Sequence, residues 1–254
     1  MMIMKEYEIF SNLKVPCGSK IVIRIDGRNF SQLSHDLKLE KPYDLEFVKI
    51  MINTCHEFFK EFSPSLIYTF SDEINILLNE IPFRGRLEKM DSIFASFVSG
   101  TFTSNIINNE EFSEIIENPK IYLKPISFDS RVILLNPEET VTYFKNRQNE
   151  AWINCLNGYA YWTLRREYSK DEAVQILYKK KSNQIHEILF EQDINIADTP
   201  LWQRRGIGIY RKKIVIHGYN PITNENVISK RWKPITDWEL PVFNEEFFYI
   251  NQIL

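Results

Sequence analysis

The sequence is poor in cysteine and glycine and has no long apolar run. Its three cysteines, Cys17, Cys55 and Cys155, are far apart, odd in number and form no Cys-x-x-Cys pair. That pattern argues against a disulfide framework and a structural zinc site, and points to a reducing compartment, the cytoplasm. No stretch approaches the roughly 20 apolar residues of a membrane helix. No cationic segment followed by an apolar core opens the chain. No membrane partner is expected. The eight glycines fall in neither a P-loop nor a G-x-G-x-x-G fingerprint. His35, His56, His186 and His217 show no metal-ligand spacing and fit no Ser-His-Asp order. A large excess of charge is missing too. The formal net charge is −3 over 254 residues, so contact with nucleic acid must come from a local basic patch.

What is present is core material: 44% of residues are hydrophobic and 14% aromatic. Residues 20–25, KIVIRI, read as a strand ending at Asp26-Gly27. After a polar stretch with Lys41-Pro42, Asp44 is placed as an N-cap. Behind it Leu45, Val48, Met51, Ile52, Cys55, Phe58, Phe59 and Phe62 recur at helical spacing up to Ser63-Pro64. The runs 66–70 and 74–78 are strand-like and flank Ser71-Asp72-Glu73, a tight hairpin. Residues 89–107 read as a helix and 127–135 as a strand. Asn136-Pro137 starts a long helix to about Arg166. A capping box at Ser169 to Glu172 opens a further helix to about Phe190. Residues 206–218 and 227–233 form a hairpin turning at Asn220-Pro221.

The core order β-α-β-β-α-β is the split βαβ, ferredoxin-like plan of an α+β protein. In that plan the first and third strands are antiparallel neighbours, so the end of one sits beside the start of the other. Asp26 and Asp72-Glu73 are thereby expected on one rim of one sheet. Residues 1–136 are read as the catalytic core. Residues 137–254 are read as a helical extension and basic hairpin packed on it.

Two carboxylates on separate strands at a sheet rim suit two Mg²⁺ ions engaged in phosphoryl-type transfer. Gly27, lacking a side chain, would let its carbonyl approach a metal or phosphate. On the pattern alone the same residues also fit a strand-ending turn and a solvated hairpin tip. Arg24, Arg28, Lys41, Lys89 and Arg131 stand near element ends, where they could hold a triphosphate or serve as ordinary surface charges. From 201 to 233 there are eight basic residues, Arg204, Arg205, Arg211, Lys212, Lys213, Lys230, Arg231 and Lys233, against the single acid Glu225. Trp202, Tyr210 and Trp232 are interleaved. This composition suits a phosphate backbone with stacked ends, or else a solvated face or subunit contact.

Several blocks stand in an order that resembles the tRNA-histidine guanylyltransferase family, the 3′–5′ polymerases. They are Asp26-Gly27-Arg28-Asn29-Phe30, Lys41-Pro42-Tyr43-Asp44, Ser71-Asp72-Glu73, Lys89 with Ser92 and Ala95-Ser96, Phe128-Asp129-Ser130-Arg131, and Arg147-Gln148. The resemblance implies a polymerase-palm domain and homotetramers. It implies two Mg²⁺ ions on Asp26, the Gly27 carbonyl and Asp72, with Glu73 as third essential carboxylate. Residues 26–31, ending at Ser31, together with Asp44 and Ser71 would line the nucleotide site. Lys41, Lys89, Ser92, Arg131 and Arg147 would meet phosphates or tRNA, as would the basic hairpin. ATP, GTP and other NTPs would be substrates alongside tRNA. Ser31 stands where the eukaryotic pattern has histidine, Ser130 replaces a glycine, and Trp152–Tyr159 replaces the block HINNLYNT. These departures resemble the bacterial and archaeal branch, which extends 5′-truncated tRNA against a template. Two rivals share parts of this reading: a palm-type nucleotidyl cyclase, and a non-catalytic ferredoxin-like RNA-binding protein.

Overall fold

The computed structural model describes residues 7–118, 123–222 and 224–254. Strand β1 (Lys20–Gly27) leads through the short helix α1 (Phe30–Asp36) to α2 (Leu45–Phe62), then β2 (Leu66–Phe70) and β3 (Glu73–Leu77). Helices α3 (Leu87–Ile107) and α4 (Ser113–Ile116) precede β4 (Phe128–Leu135) and the long α5 (Pro137–Leu164). The rest comprises α6 (Lys170–Leu177), α7 (Ser182–Phe190), α8 (Leu201–Arg205), β5 (Ile207–Asn220), β6 (Glu225–Asp237) and α9 (Glu245–Ile250).

The six strands form one sheet in the order β4-β1-β3-β2-β5-β6. The expected adjacency of first and third strands is there: β1 and β3 run antiparallel, with Asp26 opposite Glu73. Both faces of the central strands are covered, which explains why β1 to β3 read as continuous apolar runs rather than as alternation. On one face Ile21, Ile23, Ile25, Ile74 and Ile76 pack against α2 and α3 through Met51, Cys55, Phe58, Phe94 and Phe102. On the other, Val22, Leu66, Tyr68 and Leu77 meet Val141 and Phe144 of α5 and the C-terminal Leu240, Phe243 and Phe248.

Local signals end the helices where expected. The Asp44 carboxylate accepts the Phe47 N–H at 2.8 Å to start α2, and Ser63 closes it in a left-handed turn with φ of 48°. Asn136 and Glu139 form a capping box that opens α5, with Pro137 in its first turn. Elsewhere the structure corrects the sequence reading. The stretch after Asp26 holds α1, which buries Phe30 and Leu33. The helix expected from 169 to 190 is two, because Lys179 takes φ of 58° and the chain restarts where Gln184 caps the Lys181 N–H. The C-terminal hairpin, read as packed on the core, joins its sheet. β5 pairs with β2 from Ile207 opposite Thr69 to Tyr210 opposite Leu66 and so extends the central sheet. Beyond Tyr210 it pairs only with β6 and becomes a two-stranded arm.

Candidate active site

Strand register builds the site. Residues directly opposite one another in an antiparallel ladder share a face. Asp26 lies opposite Glu73 on β3 and opposite Asp129 on β4, so three carboxylates form a row across the sheet end. The row behind it is Arg131, Arg24, Asn75 and Tyr68. Asp72 occupies the β2–β3 corner, where Ser71 takes φ of 52°. The Gly27 N–H donates to the Asp72 carbonyl at 3.2 Å, which ties that corner to the end of β1. The Ser71 hydroxyl donates to Asp72 Oδ1 at 2.9 Å.

Burial holds the Asp72 carboxyl above its ordinary range, and the charges of Asp26 and Glu73 push the same way against the Ser71 hydrogen bond. Among the described residues no Lys, Arg or His pairs with Asp26 or Asp72. Two adjacent hard-oxygen carboxylates without a protein counter-charge are a donor set that fits a divalent cation. Among the described residues no three acidic, His or Cys side chains converge on one point. The remaining ligands would therefore be water, a backbone carbonyl or a bound triphosphate, as Mg²⁺ prefers.

Gly27 is required by packing. A Cβ there would stand 2.4 Å from the Phe30 ring, and that ring is wedged against Phe102 and Phe128 at centroid distances of 5.4 and 4.9 Å. Gly27→Ala is expected to lower unfolding free energy by about 2 kcal/mol through overpacking. Urea denaturation measures this, and an unchanged midpoint would show that the ring can yield.

A cavity of ≈ 380 Å³ opens beside Ser71 and Asp72. Phe30, Ser31 and Ser34 of α1 form one side; Asn154, Asn157 and Gly158 of α5 form another. Tyr43, Phe47, Met51 and Trp202 supply apolar and aromatic surface. Tyr43 donates to the Gln203 carbonyl at 3.1 Å and Tyr159 to Gln203 Oε1 at 2.5 Å, fixing α8 to α5 and to the loop before α2. The Lys41 ammonium lines the cavity, contacts Ser34 Oγ and lies 5.5 Å from the Trp162 ring centroid. Burial lowers its pKa.

The other sequence candidates are placed unevenly. Asp44 borders the cavity, but its oxygens cap the Phe47 N–H and accept the Glu40 N–H. Arg28 and Asn29 line a second cavity, between α1 and residues 123–127, of ≈ 500 Å³. Lys89 lies over the Phe83 ring and Ser92 bonds back to the Lys89 carbonyl; both sit on α3, outside the first cavity. Arg131 is paired with Asp129 at 3.2 Å. Glu73 and Arg147 are bound to each other: Nε of Arg147 meets Glu73 Oε1 at 2.9 Å, and Nη1 meets Glu150 at 2.8 Å. The residue implied as third essential carboxylate and the one implied as a phosphate or tRNA contact thus hold each other. Arg205 donates to the Leu240 carbonyl, Arg204 stands near Cys155, and Arg211 lies over the Phe59 ring. Lys212 and Lys213 are exposed on the arm, which leaves the sheet at the end opposite the carboxylates.

Sequence reasoning gave no role to Asp129, Asn154, Asn157 or Gln203. Asp129 carried a usable signal, since pairing two strands with Asp-containing ends predicts the row. Gly158 proves to line the cavity, whereas Trp152 stacks on His186 at 5.9 Å and packs α5 on α7.

A model of the tRNAHis guanylyltransferase family matches residues 1–136, and a model of that family's C-terminal domain matches 138–235. The chain is 28% identical over 217 residues to tRNA(His) guanylyltransferase 1 of Arabidopsis thaliana, covering 83% of itself but only 36% of the plant protein. It is 30% identical over 179 residues to tRNA(His) guanylyltransferase of Debaryomyces hansenii, covering 68% of this chain and 65% of the yeast protein. A bacterial tRNA(His) guanylyltransferase-like protein solved in complex with ATP has the same fold, with a TM-score of 0.73 at 24% identity over 98% of this chain and 96% of that one. The Saccharomyces cerevisiae enzyme matches with a TM-score of 0.71 at 24% identity over 83% and 93%. On the match to residues 1–136, more than half its length, the chain belongs to the tRNAHis guanylyltransferase family.

Proposed function

We propose that this protein adds nucleotides to the 5′ end of tRNA in the 3′–5′ direction, by metal-dependent nucleotidyl transfer. The observation that carries the reading is Asp72, at the edge of an aromatic cavity bordered by Lys41 and within electrostatic reach of Asp26, with no Lys, Arg or His paired to either carboxylate among the described residues. Relatives named as tRNA(His) guanylyltransferases and a structural neighbour holding ATP support it. A second neighbour is described as holding GTP.

Asp26 and Asp72, with the Gly27 carbonyl, would hold two Mg²⁺ ions. When bound, these lower the pKa of an attacking hydroxyl and stabilise charge on the leaving phosphate. The chain's own part is to bind and orient. Aromatic side chains enclose a base, Lys41 offers its ammonium to a phosphate, and Ser31 and Ser71 border the same space. The tRNA 5′-monophosphate attacks the α-phosphate of ATP and pyrophosphate leaves. The 3′-hydroxyl of an incoming NTP then attacks the activated 5′ phosphate and AMP leaves. Pyrophosphate removal from the added nucleotide completes the cycle. Watson–Crick pairing with the opposite tRNA strand would choose the nucleotide, as in repair of 5′-truncated tRNA. The arm's Lys212, Lys213, Arg231 and Lys233 would contact RNA backbone away from the reacting end. We place the protein in the cytoplasm as a homotetramer. The free cysteines favour that compartment, and among the described residues no helix is long and apolar enough to cross a membrane.

The test offers a 5′-shortened tRNA and an intact histidine tRNA with each labelled NTP in turn. Incorporation that follows complementarity is expected on the shortened substrate. Addition of G alone, whatever base stands opposite, would refute templating. A cyclic product from ATP or GTP without tRNA would favour the cyclase reading.

A further inference from the structure

Beneath the Asp72 corner lies a buried polar network that joins the sheet to α5. Arg147 meets Glu73 as a two-pronged fork, Nε to Oε1 and Nη2 to Oε2. Asn75 Nδ2 donates to the same Oε1 at 2.7 Å, and the Tyr143 hydroxyl donates to Asn75 Oδ1 at 2.6 Å. The Arg147 and Glu73 side chains are only 11% and 9% exposed. Both Glu73 oxygens are engaged by Arg147 and Asn75, whereas among the described residues no Lys, Arg or His pairs with Asp26 or Asp72. Glu73 follows Asp72 directly. Ala151, Asn154 and Gly158 lie one, two and three turns beyond Arg147 on the same stripe of α5, and all three border the cavity.

We propose that the Glu73–Arg147 fork is a positioning device: it fixes the α5 wall of the cavity against the carboxylate corner, and Glu73 holds helix rather than metal. The claim rests on the nucleotidyl-transfer reading of the site. A fork of this geometry sets both distance and rotation of the helix, and small displacements of a binding wall are costly to catalysis. Breaking one side leaves an uncompensated buried charge, so the two residues should behave as one unit.

The test measures nucleotide addition to a 5′-shortened tRNA by the full chain, as kcat, KM for ATP and the Mg²⁺ concentration at half activity. The variants are Glu73→Gln, Arg147→Met, the double variant, and Arg147→Lys, with thermal unfolding as control. Each single variant is expected to lose about 100-fold in kcat while half-saturating Mg²⁺ stays within about twofold, and the double variant is expected to be no worse than the poorer single. If Glu73→Gln fails to fold, Arg147→Lys carries the test, since it keeps the charge and loses the fork; the same kcat loss at unchanged Mg²⁺ requirement is expected. A Mg²⁺ requirement raised about tenfold or more by Glu73→Gln, or full activity in Arg147→Lys, would overturn the proposal while leaving nucleotidyl transfer intact. Inactive wild-type protein would instead remove the reading on which it rests.

Discussion

Asp72→Asn is expected to cut nucleotide addition by at least about 10³-fold, the loss that follows when several kcal/mol of metal-based charge stabilisation are removed. The same substitution should raise the unfolding temperature of the metal-free protein at pH 7. Burial and the neighbouring charges of Asp26 and Glu73 hold the Asp72 carboxyl above its unfolded pKa. The folded state then binds this proton more tightly than the unfolded state. Stability therefore falls as pH rises from the ordinary carboxylate value of about 4 through the raised one, and the penalty persists at neutral pH. Asparagine keeps the shape without the charge, so its gain is present at pH 7 and vanishes in acid, where both proteins are neutral at this position. Added Mg²⁺ should narrow the gap by stabilising the wild type alone. Rate assays and thermal scans across pH check both halves. Retained activity would remove Asp72 from metal binding; a destabilised variant at pH 7 would refute the burial argument.

The second large effect is expected at Gly206→Ala. This residue joins α8 to β5 at φ of 72° and ψ of −170°, a region that essentially only glycine occupies. A Cβ there would stand 2.6 Å from the Tyr68 ring and 2.8 Å from the Thr69 carbonyl oxygen. Backbone strain and overlap with a fixed carbonyl together should cost about 3 to 5 kcal/mol, a fall of about 10 °C in a chain of this size. Trp202 and Gln203 lie just before this joint and Ile207 just after it, all on the cavity. KM for ATP should therefore rise as well. A melting temperature within about 2 °C of wild type would show that the joint relaxes.

What the sequence disclosed follows from range. The Asp26–Asp72 meeting was legible because it needs only strand order, and strand order follows from local apolar runs and turns. Asp44, Ser63, Asn136 and Ser169 were legible because caps are decided within a few residues. The partner of β2 was not, because the pairing of Leu66 with Tyr210 spans the whole middle of the chain. The fate of Glu73 was hidden for the same reason. Its charge looks like that of Asp72 in the sequence, and only the approach of Arg147 from α5 separates the two. α1 escaped notice because seven residues show too few turns for a period, and Phe30 and Leu33 become meaningful only beneath the sheet.

The place of β5 bears on how the protein can be taken apart. Its first strand residues cap the outer edge of β2, so residues 1–136 alone would leave that edge's amides and carbonyls unpaired. An open, apolar strand edge of this kind templates pairing with other chains. The sequence boundary near residue 137 is therefore a poor place to truncate: a fragment ending there should self-associate and precipitate, not yield a smaller soluble catalyst.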